Sequence, residues 1–297
     1  MHEGLPIGQW VSGFINYVLA HDNGTLEGFG HVIADFTDAI EAGLVALPNW
    51  VIAGAITLIG LWRVNWKFGL FCAAALFVII DTGFWPATMS TLALIFSATL
   101  ISLVLGIPLG IWMARRDRVA AVVRPVLDFM QTMPAFVYLI PAAMLFGLGK
   151  VPGVIATVIF AMPPAVRLTN LGIRQVNKEQ VEAGIAFGCT STQLLLKVQI
   201  PGALPSIMAG VNQTIMMALS MVIISSMVGA GGLGNDVLAS IQRLDIGLGF
   251  ESGLSVVLLA IILDRITESF GAGSGMPRVG WGERARNLMG RREPARP

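Results

Sequence analysis

Charged residues are scarce in this chain of 297 residues: Asp, Glu, Lys and Arg make up 12% of it, whereas 55% is hydrophobic. So few charges argue against a soluble domain of this size, and a mean hydropathy of +0.75 is typical of proteins that sit in lipid. The chain has two cysteines, Cys72 in an apolar run and Cys189 in a polar loop, which does not indicate a disulfide framework. The composition therefore predicts an all-α integral membrane protein.

Two functional signatures are also missing. No segment follows the G-x-x-x-x-G-K-[ST] pattern of a phosphate-binding loop, because the glycine-rich stretch 229–234 has no lysine in register. No carboxylate lies in the middle of an apolar run, since Asp81 and Asp264 fall near run ends, and ion-coupled carriers commonly need such a residue. We therefore expect no catalysis, cofactor, metal or nucleic acid on this chain, and secondary transport is disfavoured.

Seven apolar runs are near the length of about 20 residues that a helix needs to cross the hydrocarbon core. The predicted spans are residues 42–62 (interrupted by Pro48-Asn49), 66–85, 86–113, 129–148, 151–168, 206–228 and 247–263. A six-span alternative makes the first run re-entrant or interfacial. Residues 1–41 form an acidic, amphipathic segment, predicted to pack as helices against the spans or to lie on the outer face. Residues 42–270 form the membrane domain, and 271–297 a basic tail that is expected to be disordered.

The positions of the basic residues predict the orientation. With an outside N-terminus and seven spans, all but two of the 19 lysines and arginines fall in cytoplasmic segments. The exceptions are Lys150 and Arg243. The predicted topology therefore has an outside N-terminus and a cytoplasmic C-terminus.

A polar stretch between two apolar runs has the pattern of a helix, a glycine elbow and a second helix. Gly188 can adopt the left-handed conformation that ends a helix, and residues 190–193, TSTQ, fit the capping box that begins the next one. We expect Pro201 to end this second helix. Glu182 is expected near the start of the first helix, where the helix dipole favours a negative charge.

This stretch resembles the EAA loop of ABC importer permeases, with the pattern E-A-x-x-x-x-G, nine residues, then apolar-x-apolar-Pro. It departs from the family pattern at Gly184, where a second alanine is usual, and at Val198, where isoleucine is usual. In that family the loop forms coupling helices that dock into a groove of the ATPase subunit. Small residues at Ala183 and Gly184 are expected to leave one helix face bare for that partner. The resemblance implies a type I importer fold and, within a cytoplasmic loop 170–204, these ATPase-coupling residues: Glu182, Ala183, Gly184, Gly188, Val198, Ile200 and Pro201.

A second resemblance, over about residues 85–270, is to the permeases of glycine betaine, proline betaine and choline importers. Segments 127–149, 212–224 and 228–234 carry it. It implies a multi-pass subunit of the bacterial inner membrane that imports solute from an external binding protein by alternating access. The implied partners are a second copy of the chain and two ATPase subunits, which hold ATP and Mg. The alternatives are an EAA-type permease for another small solute, or an ion-coupled carrier without an ATPase.

Uncharged polar residues in the sixth run, and the proline-broken fourth run, are candidates for the translocation path. Broken helices at membrane depth are tolerated where they line an enclosed path, and Pro134 and Pro141 are predicted to cause the break. Hydrogen bonding between helices explains the polar residues equally well. Ordinary helix packing is the favoured interpretation of Gly106 and Gly110. The path candidates are Asn212, Gln213, Thr214, Ser220, Pro134 and Tyr138.

Overall fold

The computed structural model describes residues 7–22 and 24–271, and every regular element within these ranges is helical. The helices in chain order are α1 (Ile7–Ala20), α2 (Thr25–Ala46), α3 (Asn49–Arg63), α4 (Trp66–Asp81), α5 (Trp85–Arg115), α6 (Asp117–Thr132), α7 (Ala135–Phe146), α8 (Lys150–Arg174), α9 (Lys178–Ala186), α10 (Ser191–Leu194), α11 (Ile200–Ser225), α12 (Leu233–Arg243) and α13 (Ile246–Gly271). The predicted all-α class is confirmed. The tail predicted to be disordered lies outside the described residues, apart from Gly271 at the end of α13.

Four helical stretches are long and apolar enough to cross a membrane: α5, α8, the continuous stretch Ser191–Val228, and α13. Two sharply bent helix pairs, α2 with α3 and α6 with α7, raise the number to six if each pair counts as one span. The structure thus supports four to six spans. The predicted count of seven also requires α4, whose 16 residues extend only about 24 Å, against roughly 30 Å of hydrocarbon core.

Two predicted spans are not continuous helices. Residues 42–62 contain the end of α2 and most of α3, which meet at an angle of 98°, and residues 129–148 contain the junction of α6 and α7, which meet at 97°. Both breaks have the same cause, because a residue before proline avoids the helical conformation. Leu47 before Pro48 and Met133 before Pro134 are both extended. Pro141, in contrast, stays inside α7, so only one of the two predicted breaks in this run exists.

The N-terminal helix α2 packs against the membrane helices, as expected for the acidic segment. Its residue Ile33 is buried in the main apolar core, together with Trp85 of α5 and Val154 of α8. On the same helix, Asp38 Oδ1 and Glu41 Oε2 each lie 2.6 Å from Lys150 Nζ at the start of α8. Helix α2 therefore continues without a break across the predicted segment boundary at residue 41.

Helices α5, α8 and α11 form the centre of the bundle, and glycines let their backbones approach. A Cβ atom on Gly110 of α5 would lie 2.7 Å from the carbonyl oxygen of Val166 in α8. A Cβ atom on Gly210 of α11 would lie 3.1 Å from Leu168 Cβ on the other side of α8. The small-residue pattern in α5 is thus a helix-packing device, as predicted.

One end of the bundle carries several arginines. Helices α3, α5 and α8 each carry an arginine in the last turn. The ends of α5 and α8 lie together, because Arg174 donates to the Met113 carbonyl oxygen at 2.7 Å, and the end of α3 lies against the end of α13, because Arg63 donates to the Ser269 carbonyl oxygen at 3.4 Å. At the opposite end, the Gly149 N–H donates to the Val228 carbonyl oxygen at 2.8 Å. The polar segment between α8 and α11 therefore projects from the basic end.

Candidate ATPase-coupling hairpin

The segment that projects from the basic end is a helical hairpin, residues 178–199, made of α9, a glycine elbow, α10 and a π-helical turn (Leu195–Gln199). Helix α9 begins at Lys178, where the Asn177 side chain accepts a hydrogen bond from the Glu179 N–H at 2.9 Å. The residue that places a negative charge in the first turn is Glu179. Glu182 lies one turn further on, so the expectation that it stands at the helix start is wrong.

The elbow has the geometry of a Schellman motif, which is a standard helix ending. Gly188 has φ +78°, and its N–H donates to the carbonyl oxygen of Ile185 at 2.9 Å. The next N–H, on Cys189, donates to the carbonyl oxygen of Gly184 at 3.0 Å. These two bonds satisfy carbonyl groups that the end of α9 would otherwise leave unpaired. The predicted left-handed glycine is confirmed.

The second half of the hairpin begins with the predicted capping box. The Gln193 N–H donates to Thr190 Oγ1 at 3.3 Å, and the Thr190 N–H donates to Gln193 Oε1 at 2.9 Å. The prediction that Pro201 ends this helix is wrong, because the chain stays helical from Ser191 to Val228. The π-helical turn widens the helix just before the proline. Pro201 follows as the second residue of α11, so the wider turn accommodates the proline within the continuous helix.

The prediction that Ala183 and Gly184 both leave a helix face bare for a partner is wrong for Gly184. Gly184 faces its own hairpin, since a Cβ atom there would lie 2.7 Å from Leu194 Cδ1 and 3.6 Å from Val198 Cγ2. This glycine allows α9 and the second half of the hairpin to pack closely. The hairpin is also anchored to the bundle, because Leu195 is buried in an apolar cluster with Ile173 of α8 and Ile207 of α11.

The outward surface of the hairpin is partly apolar. Phe187 is 89% exposed, Ile185 is 59% exposed and Leu196 is 58% exposed. Glu182 and Ala183 are exposed beside them on α9. Bulky apolar side chains on a polar, solvent-facing hairpin are typical of a protein-binding surface. The sequence interpretation missed Phe187 and Ile185, although their position just before the elbow could have identified them.

The seven predicted coupling residues fall into two groups. One group, half-buried, holds the hairpin together: Gly184, Val198 and Ile200. The other group is exposed: Glu182, Ala183, Gly188 and Pro201. Behind α9 lies a cavity of about 520 Å³, lined mainly by the ends of α5 and α8 and by the hairpin itself. Its charged lining consists of Arg115, Arg174, Lys178 and Glu182, so the base of the hairpin is positively charged.

The path candidate Asn212 is engaged in hydrogen bonds between helices. Its side-chain nitrogen donates to Asp264 Oδ1 of α13 at 3.1 Å, and its side-chain oxygen accepts from the Thr267 hydroxyl. Asn212 therefore joins α11 to α13, which is the alternative that the sequence left open. The same bond gives the Asp264 carboxylate, near the basic end of the bundle, a hydrogen-bond donor.

The other candidates on α11 face different ways. Gln213 and Ser220 are exposed, and their separation of seven residues places them on one side of the helix. Thr214 is fully buried, and its hydroxyl has no hydrogen-bond partner within the described residues. Gln213 and Ser220 are thus the polar α11 candidates that remain available to a path or a neighbouring chain.

Pro134 and Tyr138 mark the bend between α6 and α7. Pro134 is the N-cap residue directly before α7 and is exposed. The Tyr138 hydroxyl reaches back across the bend and donates to the carbonyl oxygen of Met130 at 2.6 Å. This bond satisfies a carbonyl group at the end of α6, so Tyr138 has a structural role in the bend.

A bundle of apolar helices with an exposed hairpin at its basic end fits one class of protein, the membrane permease. The fold is that of type I ABC importer permeases. An inward-facing structure of the MetNI methionine ABC transporter matches with a TM-score of 0.59 at 19% identity, over 67% of this chain and 97% of that one.

Sequence comparisons identify the family. Residues 106–272 match the family described as binding-protein-dependent transport system inner membrane component. The glycine betaine/proline betaine transport system permease protein ProW of Escherichia coli (strain K12) is 46% identical over 91% of this chain and 76% of that protein. The glycine betaine/carnitine transport permease protein GbuB of Listeria monocytogenes is 47% identical over 90% of this chain and 95% of that protein. The chain belongs to this family of inner-membrane transport components.

Proposed function

We propose that this chain is the membrane-spanning subunit of an ATP-driven importer for small quaternary ammonium solutes such as glycine betaine and proline betaine. The observation that carries the proposal is the braced, partly apolar hairpin, which projects from the basic end of a bundle with the type I importer fold. The names of the similar permeases support the substrate class. Choline and carnitine belong to the same chemical class and are the nearest alternative cargoes.

The proposed assembly contains two copies of this chain, two ATPase subunits and an external binding protein. ATP and Mg belong to the ATPase subunits, since the sequence here has no phosphate-binding loop. Quaternary ammonium groups are best held by aromatic faces through cation–π contacts, and we assign that recognition to the binding protein. This chain supplies the translocation path for the solute and the mechanical link to the ATPase subunits.

The proposed topology places the hairpin in the cytoplasm. The helix ends around it carry Arg63, Arg115 and Arg174, and basic residues are enriched on the cytoplasmic side of membrane proteins. The same topology puts Lys150 and its α2 partners, Asp38 and Glu41, at the outer end of the bundle. In this topology α4 is the seventh membrane crossing. Because α4 is short, it crosses with little tilt or where the bilayer is locally thin.

The hairpin geometry suggests how force passes through the chain. Closure of the ATPase dimer displaces α9, whose elbow bonds and capping box make the hairpin move as one unit. The displacement passes into α8 directly before it and into α11 directly after it. Because these two helices pack closely at Gly210 and Gly172, they move together, and alternating access follows from their motion against the rest of the bundle.

A pull-down of the tagged chain from its native membrane tests the proposal. We expect an ATPase subunit to co-purify, and the reconstituted complex to take up radiolabelled glycine betaine only with ATP and the binding protein. An ATPase partner without betaine uptake would indicate that the importer transports another solute. Uptake by the chain alone, down an ion gradient, would show it to be an ion-coupled carrier.

Substitutions on the exposed face of the hairpin test the docking surface. Phe187→Ala should weaken ATPase binding about 30-fold, since truncating an aromatic interface anchor typically costs roughly 2 kcal/mol. Glu182→Lys should uncouple uptake, because it reverses the charge of an exposed α9 residue that also lines the positively charged cavity at the base of the hairpin. Glu268→Lys is the matched control, since Glu268 is an exposed carboxylate at the same end of the bundle but on α13. Normal ATP-driven uptake by both hairpin variants would refute the docking surface.

A further inference from the structure

Arg174, the last residue of α8, holds three helices together at the base of the hairpin. Its Nε–H donates to Asn170 Oδ1 at 2.9 Å, within its own helix. Its Nη2 group donates to the Met113 carbonyl oxygen of α5 at 2.7 Å and also lies 2.7 Å from Asp117 Oδ1 of α6. A planar guanidinium with several donors can make these contacts at once, whereas a lysine side chain cannot reproduce their geometry.

The bond to Met113 pairs a backbone carbonyl group at the end of α5. In a continuous helix, the Met113 carbonyl oxygen would accept from the N–H of residue 117. The chain instead turns at Arg116, which has φ −139° and ψ 112°, so α5 ends and α6 begins there. The Arg174 guanidinium donates to the carbonyl that this break leaves unpaired. Arg174 therefore lies at the hinge between α5 and α6.

The three contacts are not equally strong. Asn170 is buried, with 7% of its surface exposed, and it fixes the position of the guanidinium. The Asp117 side chain is 90% exposed, so its ion pair with Arg174 is weak. The bond to the Met113 backbone is thus the main tie between α8 and the hinge. Only residues 175–177 separate Arg174 from α9.

We propose that Arg174 is a positioning residue that passes the motion of the hairpin to the hinge between α5 and α6. The inference rests on the proposed function. Because Arg174 is at the end of α8, next to α9, any displacement of the hairpin reaches it directly. Its bonds then carry the displacement to α6, and through the 97° bend to α7. Without Arg174, the hairpin still docks and α8 still moves, but the hinge does not follow.

The test uses the complete complex of this chain with its ATPase and binding protein, reconstituted in vesicles. Arg174→Gln should retain ATPase binding and ATP hydrolysis but lower the solute transported per ATP by at least about 5-fold, the lower bound of typical allosteric coupling. Arg174→Lys keeps the charge without the planar geometry and should give an intermediate ratio. Asp117→Asn should change the ratio little, because that pair is exposed.

Arg167→Gln is the matched control. Arg167 is also an arginine of α8 that pairs with an aspartate of α6, Asp128, but no backbone carbonyl bond to the hinge accompanies it. Its loss should leave the transport ratio unchanged. A role limited to folding would lower the amount of complex for Arg174→Gln without lowering solute per ATP, and that result would overturn the inference.

The outcomes separate this inference from the proposed function. If the wild-type complex shows no ATP-driven uptake, the proposed function is wrong and the inference with it. If the wild type is coupled and Arg174→Gln transports as much solute per ATP, only the inference is wrong. If Arg174→Gln does not reach the membrane, Arg174→Lys decides: a lowered ratio supports the inference, and a wild-type ratio overturns it.

Discussion

The glycine elbow of the hairpin allows a prediction whose magnitude can be worked from the structure. Gly188 has φ +78°, and a Cβ atom there would meet nothing within 4 Å. Gly188→Ala therefore introduces backbone strain without a steric clash. The left-handed conformation costs an alanine about 1–2 kcal/mol, and the reduced freedom of the unfolded chain offsets roughly 0.4–1 kcal/mol of this. The net loss is about 1 kcal/mol, which opens the elbow about 5-fold more often.

Amide hydrogen exchange measures this opening directly. The N–H groups of Gly188 and Cys189 both donate to carbonyl oxygens of α9, so each exchanges only when the elbow opens. In Gly188→Ala, both amides should exchange about 5-fold faster. Gly188→Asn should show a smaller increase, because asparagine tolerates the left-handed region better than alanine.

A second glycine supplies the control. Gly253 lies in α13 with no neighbouring atom near its Cβ position and with ordinary helical φ, so Gly253→Ala should not alter exchange in the hairpin. Unchanged exchange at residues 188 and 189 in Gly188→Ala would refute the reasoning. It would mean that the elbow accepts an L-residue without strain, and that glycine is present for another reason.

Three further predictions concern the bundle. Gly110→Val should lower the thermal midpoint in detergent relative to Gly54→Val, because its Cβ meets a backbone oxygen of α8 at 2.7 Å, and overpacking costs roughly 1–3 kcal/mol. Equal midpoints would contradict this. Asn212→Leu should also lower the midpoint, since it removes the hydrogen-bond donor of the Asp264 carboxylate. Adding Asp264→Asn should restore part of the loss. If it restores nothing, packing and not the lost hydrogen bond causes the destabilisation. Lys150→Ala should raise hydrogen exchange in α2 by an amount that shrinks at high salt, and the same change at all salt concentrations would exclude an electrostatic tether.

Local motifs were predictable because their causes lie within a few residues of one another. The elbow at Gly188 and the capping box of Thr190 and Gln193 depend on backbone bonds over three to five residues. The breaks at Pro48 and Pro134 depend on the residue directly before each proline. Composition likewise identified a helical membrane protein, since so few charges and so many apolar residues are typical of chains with several transmembrane helices.

The number and continuity of the spans were less predictable. Hydropathy identifies apolar runs, but it does not report the direction in which a run continues after a break. The 98° and 97° bends therefore turned two predicted spans into helix pairs. In the same way, a π-helical turn accommodated Pro201 and kept the helix continuous, although proline rules alone predicted an end.

The sequence by itself determined the class of the protein and, in the hairpin, the glycine elbow and the capping box. Only the tertiary structure decided that Gly184 faces Leu194, that Asn212 bonds to Asp264, and that Arg174 fills the gap at Met113. The reason is physical. In a membrane protein the core-facing and lipid-facing sides of a helix are both apolar, so periodicity does not reveal which side meets which neighbour. The rotation and crossing of packed helices bring distant residues together, and those contacts exist only once the bundle has formed.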